Sequence, residues 1–289
     1  MKCGLVLEGG AMRGLYTAGV CDIFLEKNIN VDGVIGVSAG EAFGCNYKSR
    51  QSGRAIRYNK RFCRDPRYVG LCSLILTGNL YNAKFDYEDV PFKYDLFDVK
   101  TFSENPLPFF VVCTDVLTGK PVYHKLEKGD ADDLQWIRAS ASMPLVSKPV
   151  EIAGMKLLDG GISDSIPFEW FMSIGYKKNI VVLTRPEGYR KKESNGALID
   201  FLLKKYPKIA EGMKKRSAKY NDSLDKLEQL ERTGDVLILR PSADLHVKRV
   251  EKNPQKLQAM YDLGRSDTER RLEEIKAFLD PLAASGRFV

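Results

Sequence analysis

Asp32-Gly-Val-Ile-Gly-Val-Ser-Ala-Gly40 is an apolar run that ends on a serine between small residues, and a helical pattern from Ala39 to Arg50 leaves it. Upstream, Cys3-Gly-Leu-Val-Leu-Glu8 reads as a short buried strand that stops at Gly9-Gly10. From Arg13 to Asn28, Leu15, Ala18, Val20, Ile23 and Phe24 recur at mostly helical spacing. Strand, helix, strand, helix within fifty residues predicts a βαβ unit and a parallel sheet. Further buried strands are expected at Phe109–Cys113, Met155–Leu158, Asn179–Thr184 and Asp235–Arg240, and helices over 134–141, 166–173, 195–232 and 254–279. The pattern of residues 51–105, rich in Tyr, Phe, Asp and Pro, gives no order of elements. The fold class is therefore α/β, a mainly parallel central sheet flanked by helices on both faces.

Gly36-Val37-Ser38-Ala39-Gly40 fits G-x-S-x-G at a strand-to-helix turn, where the serine hydroxyl stands above the sheet. The free amides of the following helix favour an alkoxide there. The bland alternative is a serine that merely caps that helix. The loop Glu8-Gly9-Gly10-Ala11-Met12-Arg13-Gly14 leaves the neighbouring parallel strand, so both turns share one edge of the sheet. Converging amides from Gly9, Gly10, Ala11 and Met12 suit an oxyanion hole. Arg13 and Gly14 would support it, Arg13 by holding the loop through hydrogen bonds. Ala11 serves only if its φ is negative; a positive φ would impair the hole. A dinucleotide loop competes for the same glycines, but it expects an acidic residue at the end of the second strand, and here that strand ends in Gly-Val-Ser-Ala-Gly.

A serine needs a base. His124, in a hairpin-like stretch, and His246, late in the chain, are the two histidines, and neither sits on a turn that would aim it into a site. Asp159 in Leu157-Leu-Asp-Gly-Gly161 ends an apolar strand, and Gly160 and Gly161 let the chain turn away from its carboxylate. An aspartate is a weak base, with an ordinary pKa of about 3.9, so the site would have to be dry and the oxyanion well held. An apolar acyl channel over Ser38, lined from 58–110, is expected on that ground.

Taken together, Glu-Gly-Gly-Ala-Met-Arg-Gly, Gly-Val-Ser-Ala-Gly and Asp-Gly-Gly, with Arg138-Ala-Ser-Ala-Ser-Met-Pro144 before the last, resemble the patatin-like phospholipase family over residues 4–185. Tyr220-Asn221, Arg240-Pro241 and Glu251-Lys252-Asn253 are similar to the extension of its bacterial members. The resemblance implies a catalytic domain over 1–185 and an extension over 186–289 packed on the same core. It also implies a Ser38–Asp159 dyad, an oxyanion hole at the glycine loop, no cofactor or metal, and a phospholipid or lysophospholipid ester as substrate. A non-catalytic lipid- or nucleotide-binding protein on the same fold is the alternative.

The chain has 289 residues, a net charge of +7 and six cysteines without a C-x-x-C pair, so one core with reduced cysteines is expected and a zinc site is not. No charge-free apolar run is long enough to span a bilayer, and no targeting segment is evident, so a cytoplasmic protein is expected. Arg185 to Lys219 holds eleven Lys or Arg against four Asp or Glu. With Leu198, Phe201, Leu202 and Tyr206 at helical spacing, it reads as a solvated face or as a surface for anionic membrane. No nucleic-acid partner is expected.

Overall fold

Leu5 and Leu7 on one side and Val6 on the other follow the two-residue period of a strand, and each side meets its own helical layer. The computed structural model describes residues 1–280; residues 281–289 of the expected extension lie outside the described residues. In chain order the elements are β1 (Cys3–Leu7), α1 (Leu15–Glu26), β2 (Gly33–Gly36), α2 (Ala39–Lys48), α3 (Arg54–Phe62), α4 (Leu71–Thr77), α5 (Val99–Glu104) and β3 (Phe109–Asp115). Then follow β4 (Pro121–Leu126), α6 (Ala131–Ser140), β5 (Val150–Ile152), β6 (Met155–Asp159), α7 (Phe168–Ser173) and β7 (Lys178–Val182). The last are α8 (Gly196–Leu202), α9 (Pro207–Thr233), β8 (Val236–Leu239), α10 (Pro254–Arg270) and α11 (Leu272–Leu279).

The sheet runs β5-β6-β3-β2-β1-β7-β8, with β4 also on β3. From β3 to β8 all neighbours are parallel; β4, β5 and β6 pair antiparallel. On one face, α1 is buried from Leu15 to Phe24, because α2, α3 and α10 enclose it. On the other, Phe168 and Phe171 of α7 and Leu224 and Leu227 of α9 cover Val6, Ile35 and Val37.

Two expected helices are interrupted. The pattern over 195–232 divides into α8 and α9 because Pro207 lacks an amide and fits only the first turn of a helix, where it stands. The one over 254–279 breaks at Arg271, between α10 and α11. In the stretch without a legible pattern, Phe85–Tyr94 forms a π-helical segment around Pro91. All six cysteines are free thiols, and only Cys72 is exposed.

Candidate active site

Ser38 stands between β2 and α2 with φ 56° and ψ −120°, a backbone that a non-glycine residue rarely takes. Holding it there costs on the order of 1–3 kcal/mol, which the surroundings must overcome. The Ser38 amide donates to Ser140 Oγ at 3.0 Å, and that hydroxyl donates to the Val112 carbonyl at 2.5 Å. The Ser38 side chain makes no capping bond to α2, so the bland reading of the turn fails and the hydroxyl is left to the cavity.

The glycine loop reaches the serine because Gly9 has no side chain: a Cβ there would stand 2.9 Å from Ser38 Cβ and 2.8 Å from the Val37 carbonyl. Gly40 is needed for a similar reason, since any Cβ would strike the Leu7 carbonyl. Gly36 ends β2 and Gly14 ends a 3-10 turn, Ala11–Gly14, that leads into α1. The amides of Gly9, Gly10 and Ala11 meet no protein acceptor among the described residues. Three expectations need correction here. Met12 is not free as a donor, because its amide donates to the Arg249 carbonyl at 3.5 Å. Ala11 has φ 49°, so the condition of a negative φ is not met. Arg13 does not hold the loop through its side chain, since its Nε is buried without a partner. Glu8 does that work: it accepts from the Thr184 amide at 2.6 Å and from the Tyr220 hydroxyl at 2.8 Å.

Asp159 ends β6 and is almost wholly buried. Its carboxylate accepts from the Gly161 amide at 2.7 Å, and its own amide donates to the Ser142 carbonyl at 2.8 Å. Ser140 and Ser142 thus tie Ser38 and Asp159 to one short stretch, a link the sequence reading did not foresee. Gly160 and Gly161 open a 3-10 turn that leads the chain away. Burial pushes the Asp159 carboxyl above its ordinary value; Arg216, the Gly161 amide and the Ser38 hydroxyl pull the other way. Ser38 and Asp159 line the same cavity, although their side chains do not meet the distance and angle of a hydrogen bond. Such contacts are often loose before substrate binds. Behind the site, the buried Glu41 is pushed well above the carboxylate range by desolvation, with Asp159 adding to the rise.

Two cavities meet at Ser38. One, of about 870 Å³ including space open to solvent, is lined by Phe43, Tyr58, Tyr87, Val90 and Phe97 among others, so the stretch 58–110 does contribute to it. It is less apolar than expected, for Arg54 and Asp86 also line it. The other, of about 610 Å³ and partly open to solvent, holds Asp159, the loop Gly9–Ala11 and several cations. Three of these, Arg185, Lys191 and Arg216, belong to the stretch 185–219, which is therefore only in part a solvated or membrane-facing surface. The histidines stay apart: His124 stacks on Trp136 with ring centroids 3.9 Å apart, and His246 is exposed beside Asp244.

The profile of the patatin-like phospholipase family matches residues 5–172, and the chain belongs to that family. Its mostly parallel sheet between two helical layers is consistent with the patatin-like fold. Residues 206–280 match a second profile, a domain of unknown function (DUF6363). The uncharacterized protein YjjU of Escherichia coli (strain K12) is 31% identical over 202 residues, covering 64% of this chain and 52% of YjjU. Lysophospholipase NTE1 of Scheffersomyces stipitis is 25% identical over 256 residues, covering 83% of this chain and 16% of the yeast protein. The chain thus spans about half the length of the first of these relatives and far less of the second. The crystal structure of VipD from Legionella pneumophila is similar with a TM-score of 0.46 and 12% identity, over 94% of this chain and 67% of that one.

Proposed function

We propose that this chain is a serine acyl hydrolase that cleaves lipid carboxylic esters, phospholipid or lysophospholipid, through Ser38 and Asp159. One observation carries the reading: an uncapped, strained Ser38 opens into the same cavity as a buried aspartate and three unpartnered loop amides. Ser38 Oγ attacks the ester carbonyl while its proton passes to Asp159. The amides of Gly9 and Gly10 hold the oxyanion; Ala11, at φ 49°, does not meet the condition set for its amide to join them. Collapse of the tetrahedral species expels the alcohol, which takes the proton from Asp159, and Ser38 keeps the acyl group. Water then attacks the acyl-enzyme, gives a proton to Asp159, and releases the carboxylic acid as Ser38 regains its proton.

The same reading places the protein in the cytoplasm, working at membrane surfaces. Among the described residues no helix is long and apolar enough to cross a membrane. On α8, Leu198, Phe201 and Leu202 are 53%, 78% and 48% exposed beside Lys204 and Lys205, a face suited to anionic lipid.

Fluorophosphonate labelling read by intact mass, beside ester turnover, tests the dyad. Wild type should take one label and Ser38→Ala none. A folded wild type that takes no label and turns over no ester would leave a binding protein on a hydrolase scaffold.

A further inference from the structure

The cavity on the Asp159 side carries more positive charge than the dyad uses. Arg13, Arg185, Lys191, Arg216 and Arg249 line it, against two carboxylates, Glu8 and Asp159. Glu8 is already engaged by Thr184 and Tyr220, and Asp159 is the proposed base. Among the described residues, none of Arg13, Lys191, Arg216 and Arg249 has a carboxylate within 4.0 Å, and Arg185 has only Asp244 at 3.8 Å. The Nε atoms of Arg13 and Arg185 are buried without hydrogen-bond partners. A buried donor without an acceptor is costly, and a cluster of them beside a nucleophile calls for a ligand that supplies acceptors.

We infer that this cavity is an anion subsite that holds a phosphate group on the alcohol half of the ester, with Lys191, Arg216 and Arg249 as its main contacts. The inference rests on the acyl-hydrolase reading and narrows it. Phosphate offers several acceptor oxygens and up to two negative charges, which suits converging guanidinium and ammonium groups. A zwitterionic headgroup fits worse, because its ammonium would need a carboxylate or an open aromatic face. Both carboxylates are committed, and both nearby rings already carry cations: Lys191 lies 3.8 Å from the Tyr220 ring centre and Arg185 4.7 Å from that of Tyr189. Esters with a terminal, uncompensated phosphate are therefore the preferred class.

The origin of the contacts adds a second point. Only Arg13 falls within the family match at 5–172, whereas Arg216 and Arg249 fall within the segment of unknown function at 206–280. That segment supplies two of the three main contacts of a site whose nucleophile lies elsewhere in the chain.

Three esters with one acyl chain test this: a monoacylglycerol, its 3-phosphate, and the phosphocholine derivative. For wild type, kcat/KM should favour the 3-phosphate over both others by about tenfold or more, the scale of one charge-assisted hydrogen bond. Arg249→Ala and Lys191→Met should each cut that preference by roughly 10- to 100-fold, mainly through KM. Lys191→Arg should restore much of it. Calorimetry of glycerol 3-phosphate and of inorganic phosphate against Ser38→Ala reads the subsite without turnover. Glycerol 3-phosphate should bind more tightly than inorganic phosphate, and the double variant Lys191→Met/Arg249→Ala should lose that binding. Equal turnover of the three esters overturns the inference while leaving the dyad intact. Equal binding of inorganic phosphate with no ester preference overturns it in favour of a free-phosphate site. Binding without labelling or turnover would remove the hydrolase reading and leave the anion site standing.

Discussion

On one side of Ser38 the chain has gathered aromatic rings; on the other it has gathered guanidinium and ammonium groups. The first cavity is built largely from α2, α3 and the π-helical segment, all before residue 100. The second takes the ends of β1, β6 and β7 and adds side chains from α9 and the loop after β8. An ester has two halves, and in the proposed reaction hydrocarbon would meet the rings and a charged alcohol the cations. Ser38 lines both, so in the proposed reaction specificity for either half can vary without moving it.

The variant with the largest expected effect is Asp159→Asn, which should cut turnover of all esters alike by about 10³- to 10⁴-fold. In wild type the base must be ionised. Because burial raises the Asp159 carboxyl, kcat/KM should rise with pH along a limb above the ordinary carboxylate value of about 3.9. A limb at or below that value in a pH–rate profile would contradict Asp159 as the base.

Val90→Trp fills the aromatic cavity. Excluding about three methylenes, at about 0.8 kcal/mol each, should lower the ratio of long-chain to short-chain ester turnover by roughly 50-fold. An equal loss for both chain lengths would mean that acyl chains do not lie there.

The third prediction concerns charge. Burial, with Arg216 next, lowers Lys191 to about 7; Glu8 and Asp159 oppose that shift, and Arg249 adds to it. The ammonium exists below that pH and is lost above it, while phosphate gains its second charge near about 6. Preference for a phosphorylated ester should therefore peak between about 6 and 7 and fall about tenfold in alkali. The bound anion would move that fall upward. Lys191→Arg should flatten the profile, as read from KM against pH.

The smallest effect is at Ala11. Ala11→Gly relieves a left-handed alanine but loosens the unfolded chain, for a net gain of about 1 kcal/mol or less. Thermal unfolding should shift upward by about 2 °C. A fall would mean that the Ala11 methyl, which borders both cavities, is needed for packing.

Much of the frame was legible because it is local. The alternation in β1, the apolar run into Ser38 and the glycines around Asp159 each act within a few residues. The break before Pro207 was legible too, had the proline been weighed above the helical spacing around it. Other features depend on contacts across the whole chain. That Ser140 would hold Ser38 follows from the packing of α6 beside β3, which no spacing encodes. The charges of Lys191 and Arg216 read as surface because Lys and Arg are mostly exposed. Their approach to Asp159 arises only once α9 lies over the sheet.

The carbonyl of Arg249, described above as the acceptor for Met12, also accepts from the Tyr81 hydroxyl at 2.9 Å. In order of synthesis, Gly9 to Ser38 leave the ribosome early, whereas Arg249, and α10 that encloses α1, come late. A nascent chain thus carries Ser38 long before the loop beside it is fastened. The proposed site would then be complete only once Arg249 has been made, long after Ser38 itself.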